Sequence, residues 1–418
     1  MSQTLVAPHV DGDFAAWWAK RRRAHQFTVR RIPFADLVDW RFAAGSGDLV
    51  HRSGRFFTVC GLRSGPVTQP ILHQPEIGVL GILVKRIHGE PHCLMQAKME
   101  PGNVNTVQLS PTVQATRSNY TRVHRGAPVR YLDHFTTPGR GRVLADSLQS
   151  EHGAWFHHKR NRNLVVETDE DVAVHEDFHW LPLAALGSLL TVPNLVNMDA
   201  RTVLACLIGA RGATADPALL SWFTEAKARH DRPATLVDLA AVPGWRRTAT
   251  EMSEKDGDGP TVLAVSVTAP NREATAWTQP LLAPAPGVVA FLARTRAGRT
   301  ELLVRARPEI GCRDAAELGP TVQTGTGHDE PLLDTVLELA ADPTRVWYDT
   351  VLSEEGGRLW YAQSRYLVVE STEEVPVHED FRWADLSGLT GLLRHSYYLN
   401  VQARTLVASL ALACGRRR

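Results

Sequence analysis

One segment occurs twice in this chain. Leu164 to Trp180 reads LVVETDEDVAVHEDFHW, and Leu367 to Trp383 reads LVVESTEEVPVHEDFRW. The likeness continues outside this block. Gln69-Pro70 recurs as Gln279-Pro280, Pro111-Thr112-Val113-Gln114 as Pro320-Thr321-Val322-Gln323, and NMDART from Asn197 as NVQART from Asn400. The leaders agree too, Trp17-Trp18 with Trp222-Phe223 and Trp40-Arg41 with Trp245-Arg246. Each repeat spans about 200 residues, far beyond the roughly 20–50 of a solenoid unit, so the chain is a duplicated domain. The break falls near Ile208 to Pro217, dividing the chain into domains 1–208 and 209–418. Positions that agree between copies belong to the scaffold. Positions that differ mark where one copy took on its own chemistry.

With 418 residues and 44 % hydrophobic content, the chain has material for two cores. A formal net charge of +1 gives no electrostatic case for nucleic acid or membrane as a partner. Lys20-Arg21-Arg22-Arg23 is a local exception, and it follows Phe14, Trp17 and Trp18 on one helical face. That pattern predicts a leader helix docking its aromatic side on the body. Five cysteines, odd in number and without C-x-x-C spacing, argue against a disulfide framework or zinc site and for a cytoplasmic location. No apolar run reaches the roughly 18 residues a membrane span requires.

Apolar runs at Ile77–Ile87 and Val288–Arg294 read as buried strands, with hairpin partners at Leu94–Lys98 and Glu301–Arg307. Helices are expected at Leu181–Leu190, Ala384–Leu393, Asp199–Leu207 and Gln402–Leu410. Asp216-Pro217 supplies an N-cap and first-turn proline for the helix carrying Leu219, Trp222 and Phe223. Strands mixed with helices give an α+β or α/β sandwich in each copy. The two HED triplets, at His175 and His378, are expected to form a shared structural turn. On an extended chain their three side chains would not converge on an ion.

The candidate chemistry lies where the copies differ or where charge is retained. Lys98-Met99-Glu100 ends a strand, with Arg307-Pro308-Glu309 at the matching place. A cation and a carboxylate two residues apart share a strand face, which suits phosphate contact and proton transfer. Gln114 to Arg122 follows, rich in hydroxyls and amides (Thr116, Ser118, Asn119, Tyr120) and carrying Arg117 and Arg122. Copy two has lost those arginines. Forked guanidinium contacts suit a diphosphate. The block His157-His158-Lys159-Arg160-Asn161-Arg162-Asn163 adds an anion site with a histidine available for proton transfer. No G-x-G-x-x-G, Walker A, G-x-S-x-G or H-E-x-x-H motif occurs, so hydride-transfer, P-loop and zincin chemistry lose their usual support.

The run from Gln96 to Gly126, the KRNRNLVVE block and the duplicated HEDF-x-W and N-x-x-ART elements resemble the NDP-hexose 2,3-dehydratases across nearly the whole chain. The resemblance implies two tandem Nudix-like α/β/α sandwich domains of α+β class. Neither copy carries the Nudix box, whose carboxylates would hold Mg²⁺, so metal-dependent phosphohydrolysis is not expected and the site is read as metal-free. The implied reaction removes water across C2 and C3 of a TDP-4-keto-6-deoxyhexose. The C4 ketone acidifies the C3 proton, so no redox cofactor is required. A catalytically silent sugar-nucleotide binder is the rival reading, and a true Nudix hydrolase a third.

Under this reading copy one carries turnover. Glu100 is the expected base, followed by His158 or His157. Lys98 suits the C4 oxyanion or a phosphate, Tyr120 a proton donor, and Arg117 and Arg122 the diphosphate. Gln96, Met99, Asn103, Gln114, Thr116, Ser118, Asn119, Lys159, Asn161, Arg162 and Asn163 complete the substrate contacts. Arg305, Arg307, Glu309, Gln323, Arg365 and Tyr366 in copy two form a second nucleotide site or serve an inter-domain or dimer interface. The expected associations are a homodimer and a downstream 3-ketoreductase.

Overall fold

The computed structural model describes residues 12–24, 26–116, 128–210, 212–231, 233–255, 257, 259–269, 275–325, 329–376 and 378–413. The two copies share one sheet topology. In copy one the main sheet runs Arg142–Ser150, Arg160–Glu167, Gly78–Ile87, Glu90–Met99, Phe178–Pro182. In copy two it runs Val346–Ser353, Gln363–Glu370, Gly287–Arg296, Arg299–Arg307, Phe381–Asp385. The central pair is parallel in both, with Asn161 opposite Gly78 and Ser364 opposite Gly287. The PTVQ motif locks this arrangement. Thr112 Oγ1 accepts from the Leu83 amide at 2.9 Å and donates to the Leu94 carbonyl, and Thr321 does the same between Leu292 and Leu303.

The strand Gly78–Ile87 is apolar throughout because both its faces are covered. Leu80, Ile82 and Val84 face the closing helix Met198–Gly209, while Val79 and Leu83 face the short helix Asp133–Thr136. The ring of Phe135 lies where a side chain at Gly81 would stand, 2.5 Å from a Cβ built there. Each copy is thus a layered α/β/α unit, and the closing helices Met198–Gly209 and Val401–Ala413 pack on each other.

The HED blocks dock the leader helices. Trp17 Nε1 donates to the Glu176 carbonyl at 2.8 Å, and Arg21 pairs with Glu176 and Asp177; Trp222 Nε1 donates to the Glu379 carbonyl at 2.9 Å. The segment is the expected turn, but the ligand atoms of His378, Glu379 and Asp380 all lie within 4.8 Å of one another, which corrects the expectation that the three would not converge. Asp380 is nevertheless committed to His230 at 3.0 Å and Arg229 at 3.3 Å.

The smaller sheets are exchanged between copies. Thr28–Ile32 of copy one pairs with Thr261–Thr268 of copy two, and Ala234–Val237 of copy two pairs with Thr58–Ser64 of copy one. The exchange is reciprocal. The copies therefore meet through backbone ladders as well as side chains.

Candidate active site

A cavity of about 260 Å³ opens at the end of the copy-one sheet, and both copies build its wall. From copy one come Lys98, Met99, Glu100, Gln114, Thr116, Glu151, Lys159, Asn161 and Asp199; from copy two come Trp277, Gln279, Glu355, Gly357 and Arg358. A close backbone approach explains the mixture. The turn after Glu100 places the Gly102 amide on the Gly356 carbonyl at 2.7 Å, and the Tyr361 amide reaches the Gly102 carbonyl at 2.9 Å. A Cβ on Gly102 would lie 1.6 Å from the Leu359 carbonyl oxygen, so only glycine fits. The symmetry-related contact exists as well, from the Gly311 amide to the Gly153 carbonyl at 2.7 Å.

Three residues from repeated motifs form a relay on the floor. Asn197 caps the closing helix by accepting from the Ala200 amide at 2.8 Å, and its Nδ2 donates to Gln114 Oε1 at 3.2 Å. Gln114 Nε2 then donates to Glu100 Oε1 at 2.7 Å, with the Lys98 ammonium 3.9 Å from the same oxygen. Copy two repeats the relay through Asn400, Gln323 and Glu309, at 2.8 and 2.7 Å. The relay fixes one carboxylate in each copy and is scaffold common to both.

Around it the copies diverge. Among the described residues, four carboxyl groups line the copy-one cavity: Glu100, Glu151, Asp199 and Glu355. Burial raises Asp199 and Glu151 well above the usual carboxylate range and raises Glu355 as well. The charges of neighbouring carboxylates add to each shift. Burial lowers Lys159, against the opposing pull of Glu151 and Glu76, and its Nζ donates to the Glu76 carbonyl at 2.7 Å. At the copy-two counterpart the charges are closed on themselves. Arg307 is bonded by Glu330 at 2.6 Å, and Arg305 meets Glu330 at 3.4 Å and the Asp329 carbonyl at 2.9 Å. Tyr366 donates to Glu354 at 3.0 Å, and Gln402 Nε2 lies 3.0 Å from His152 Nδ1.

The structure brings together Lys98, Met99, Glu100, Gln114, Thr116, Lys159 and Asn161 from the sequence-predicted set. Arg117, Ser118, Asn119, Tyr120 and Arg122 lie outside the described residues. The other members are not among the cavity-lining residues. His157 faces His73, with their Nδ1 atoms 3.2 Å apart, and stacks on His158. Burial, with the charges of His158 and His73, lowers His157 to about 4. Arg162 is paired with Asp146 at the sheet edge, as Arg365 is with Asp349, so that retained arginine is structural in both copies. Asn103 and Asn163 are buried and donate to the Thr106 and Asn161 carbonyls, and Gln96 sits on the strand beside Phe178.

Sequence reasoning passed over Asp199, Glu151, Glu355, Gln279, Trp277 and Arg358. A signal existed for two of them. Asp199 faces Gln402, and Glu355 faces His152, inside motifs that otherwise repeat.

Comparison with known proteins agrees with this architecture. A family model described as NDP-hexose 2,3-dehydratase matches residues 11–207 and again 216–410. A relative from Streptomyces violaceoruber is 51 % identical over 94 % of this chain and 96 % of its own length. One from Saccharopolyspora spinosa is 47 % identical over 95 % and 90 %, and one from Amycolatopsis orientalis 46 % over 97 % and 91 %. All three are named dTDP-4-dehydro-6-deoxy-alpha-D-glucopyranose 2,3-dehydratase. Among solved structures, an Ap4A hydrolase of C. elegans aligns over 31 % of this chain and 96 % of its own at 14 % identity, with a TM-score of 0.21. That score carries no argument about the fold, which rests on the repeated sheet topology. On two successive family matches and three relatives of nearly equal length, the chain belongs to the NDP-hexose 2,3-dehydratase family.

Proposed function

We propose that this chain eliminates water across C2 and C3 of dTDP-4-keto-6-deoxyglucose, yielding an enol that tautomerises to the 3,4-diketo-2,6-dideoxy sugar nucleotide. The observation that carries this reading is the copy-one cavity, where a relay-held carboxylate, two lysines and buried carboxyls face one space. The chemistry requires those groups. Glu100 takes the C3 proton, and the released electron pair delocalises onto the C4 oxygen. Lys98 stabilises that oxyanion or binds a phosphate. Gln114, anchored by Asn197, aims Glu100. Tyr120, Arg117 and Arg122 retain the donor and diphosphate roles assigned from their side-chain chemistry. Copy two completes the wall and stabilises the fold. The enzyme acts in the cytoplasm as a metal-free homodimer in deoxysugar biosynthesis, and a 3-ketoreductase consumes its unstable product.

Incubating purified protein with dTDP-4-keto-6-deoxyglucose, a 3-ketoreductase and NADPH tests the proposal. A reduced 2-deoxy sugar nucleotide is expected, with turnover unaffected by EDTA. An unchanged sugar that only raises the melting temperature would establish a binder, and strict Mg²⁺ dependence would contradict the metal-free site.

A further inference from the structure

We infer that Asp199 is the proton donor to the departing C2 hydroxyl, with Glu355 from copy two as its partner carboxyl. The inference rests on the dehydratase reading and gives the leaving-group proton to Asp199, so that the donor role of Tyr120 is directed at the C4 oxygen.

Elimination among the cavity carboxyls leads to this residue. Glu100 and Glu151 have counterparts in the other copy, Glu309 and Glu354, so carboxylates at those positions belong to the shared frame. The two without counterparts are Asp199 and Glu355, replaced by Gln402 and His152. At the copy-two site those replacements meet across the copies as a hydrogen-bonded pair, Gln402 Nε2 to His152 Nδ1 at 3.0 Å. The same two positions therefore differ as a pair, an amide and an imidazole at one site and two acids at the other. Glu355 is already committed as an acceptor: one oxygen takes the Gly357 amide at 2.8 Å and the other the Arg358 amide at 2.7 Å. Bonds of that kind favour the anion. Asp199 is 5 % exposed on the first turn of the closing helix and lines the cavity. Glu151 also lines it, with one buried oxygen lacking any partner, so the site holds unspent polar capacity for a ligand.

The charged groups acting on Asp199 include Glu100, Glu355 and Glu151, which oppose its ionisation, and Lys98 and Lys159, which favour it; burial is the largest influence. Neighbouring buried carboxyls do not all ionise, and the proton stays on the member with the fewest donors. The step balances. The enolate pair returns to re-form the C4 carbonyl, the C3 electrons close the C2–C3 double bond, and the C2–O bond breaks. The hydroxyl leaves as water with the Asp199 proton, and the resulting carboxylate recovers a proton from solvent.

Full-length Asp199→Asn is assayed in D₂O with two sugar nucleotides, the natural 4-keto substrate and its 2-deoxy-2-fluoro analogue. Fluoride departs without a proton, so the analogue bypasses the acid. The expected result is deuterium uptake at C3 within a few-fold of wild type, loss of water elimination by about 10²–10⁴-fold, and fluoride release close to wild type. Retained exchange also reports an intact fold. Water elimination near the wild-type rate would overturn the assignment, as would loss of exchange and fluoride release together in a folded variant. Failure of the wild-type protein to exchange C3 or release water would instead sink the dehydratase reading itself. Glu355→Gln supplies a second measurement. It removes one charge opposing Asp199 ionisation, so the alkaline limb of kcat should move to lower pH; an unmoved limb contradicts the pairing.

Discussion

Glu151 and Glu354 occupy the same position in the two copies and behave as opposite acids. Burial alone would raise both. Around Glu354 the imidazole of His152, 3.3 Å away, and the charge of Arg201 hold the carboxyl below its ordinary range against burial. Around Glu151 the neighbours that matter most are Asp199 and Glu355, and the carboxyl rises well above that range. Substitutions around one shared position separate these outcomes: Asp199, Glu355 and Lys159 act on Glu151, whereas His152 and the Tyr366 hydroxyl face Glu354. The duplication supplied one backbone frame twice, with the same relay, capped helices and glycine contacts. What faces the shared groups differs between the two sites, and the proposed chemistry lies on the copy-one side. Copy two spends its charges on itself through Glu330 and Tyr366, receives His152 from copy one, and lends the other side Glu355, Arg358, Trp277 and Gln279.

The most severe challenge to this comparison is to separate the copies. Because each small sheet contains a strand from the other half, residues 1–210 expressed alone should be wholly inactive and poorly folded. Co-expression with residues 212–418 should restore turnover; an active isolated first half would contradict the shared site. Next in size is an exchange of identities. Asp199→Gln with Glu355→His installs the copy-two pair in copy one and should lower kcat by about 10²–10⁴-fold, with the circular dichroism spectrum unchanged.

Where the copies agree, effects should match. Arg201 and Arg404 are buried on the closing helices, and each donates into the other copy. Arg201 reaches the Ser353 carbonyl at 2.7 Å and Arg404 the Ser150 carbonyl at 2.5 Å. Arg201→Ala and Arg404→Ala should each cost about 3–5 kcal/mol by chemical denaturation, from the void and the carbonyls left unsatisfied. A large inequality would show that the interface is not symmetric.

A smaller effect carries a sign. Burial, reinforced by Glu100 and Glu355, holds the Asp199 carboxyl above its usual range. As pH rises above about 4, the unfolded chain releases this proton while the folded chain keeps it. Asp199 therefore subtracts stability with rising pH, until the folded group also ionises. Asp199→Asn should melt above wild type at pH 8 and close to it near pH 4. A variant less stable than wild type at pH 8 would mean that the carboxylate is favourably paired.

Much of the frame was legible in the amino-acid order. The duplication set the topology, and strands covered on both faces stood out as unbroken apolar runs. The leader helix declared itself through Phe14 and Trp18, both almost fully buried. The strand exchange left no such mark, because alternation along Thr28–Ile32 reports a covered face and not which copy covers it. The histidines drew attention by residue type, yet the left-handed backbone at His158 (φ 51°) turns the chain between His157 and the cavity-facing Lys159. Trp277 and Arg358 were hidden for a different reason. Their place in the site comes from the approach of two glycine turns, and no spacing along one copy encodes contact with the other.

The central claim is that equivalent residues carry unequal work, and the two relay carboxylates test it most directly. Glu100→Gln and Glu309→Gln are matched substitutions at matched positions, each facing its own glutamine at 2.7 Å. Steady-state kcat on the 4-keto sugar nucleotide should fall by about 10²–10⁴-fold in the first and stay within a few-fold of wild type in the second. Equal losses in two folded variants, or a larger loss from Glu309→Gln, would contradict the account.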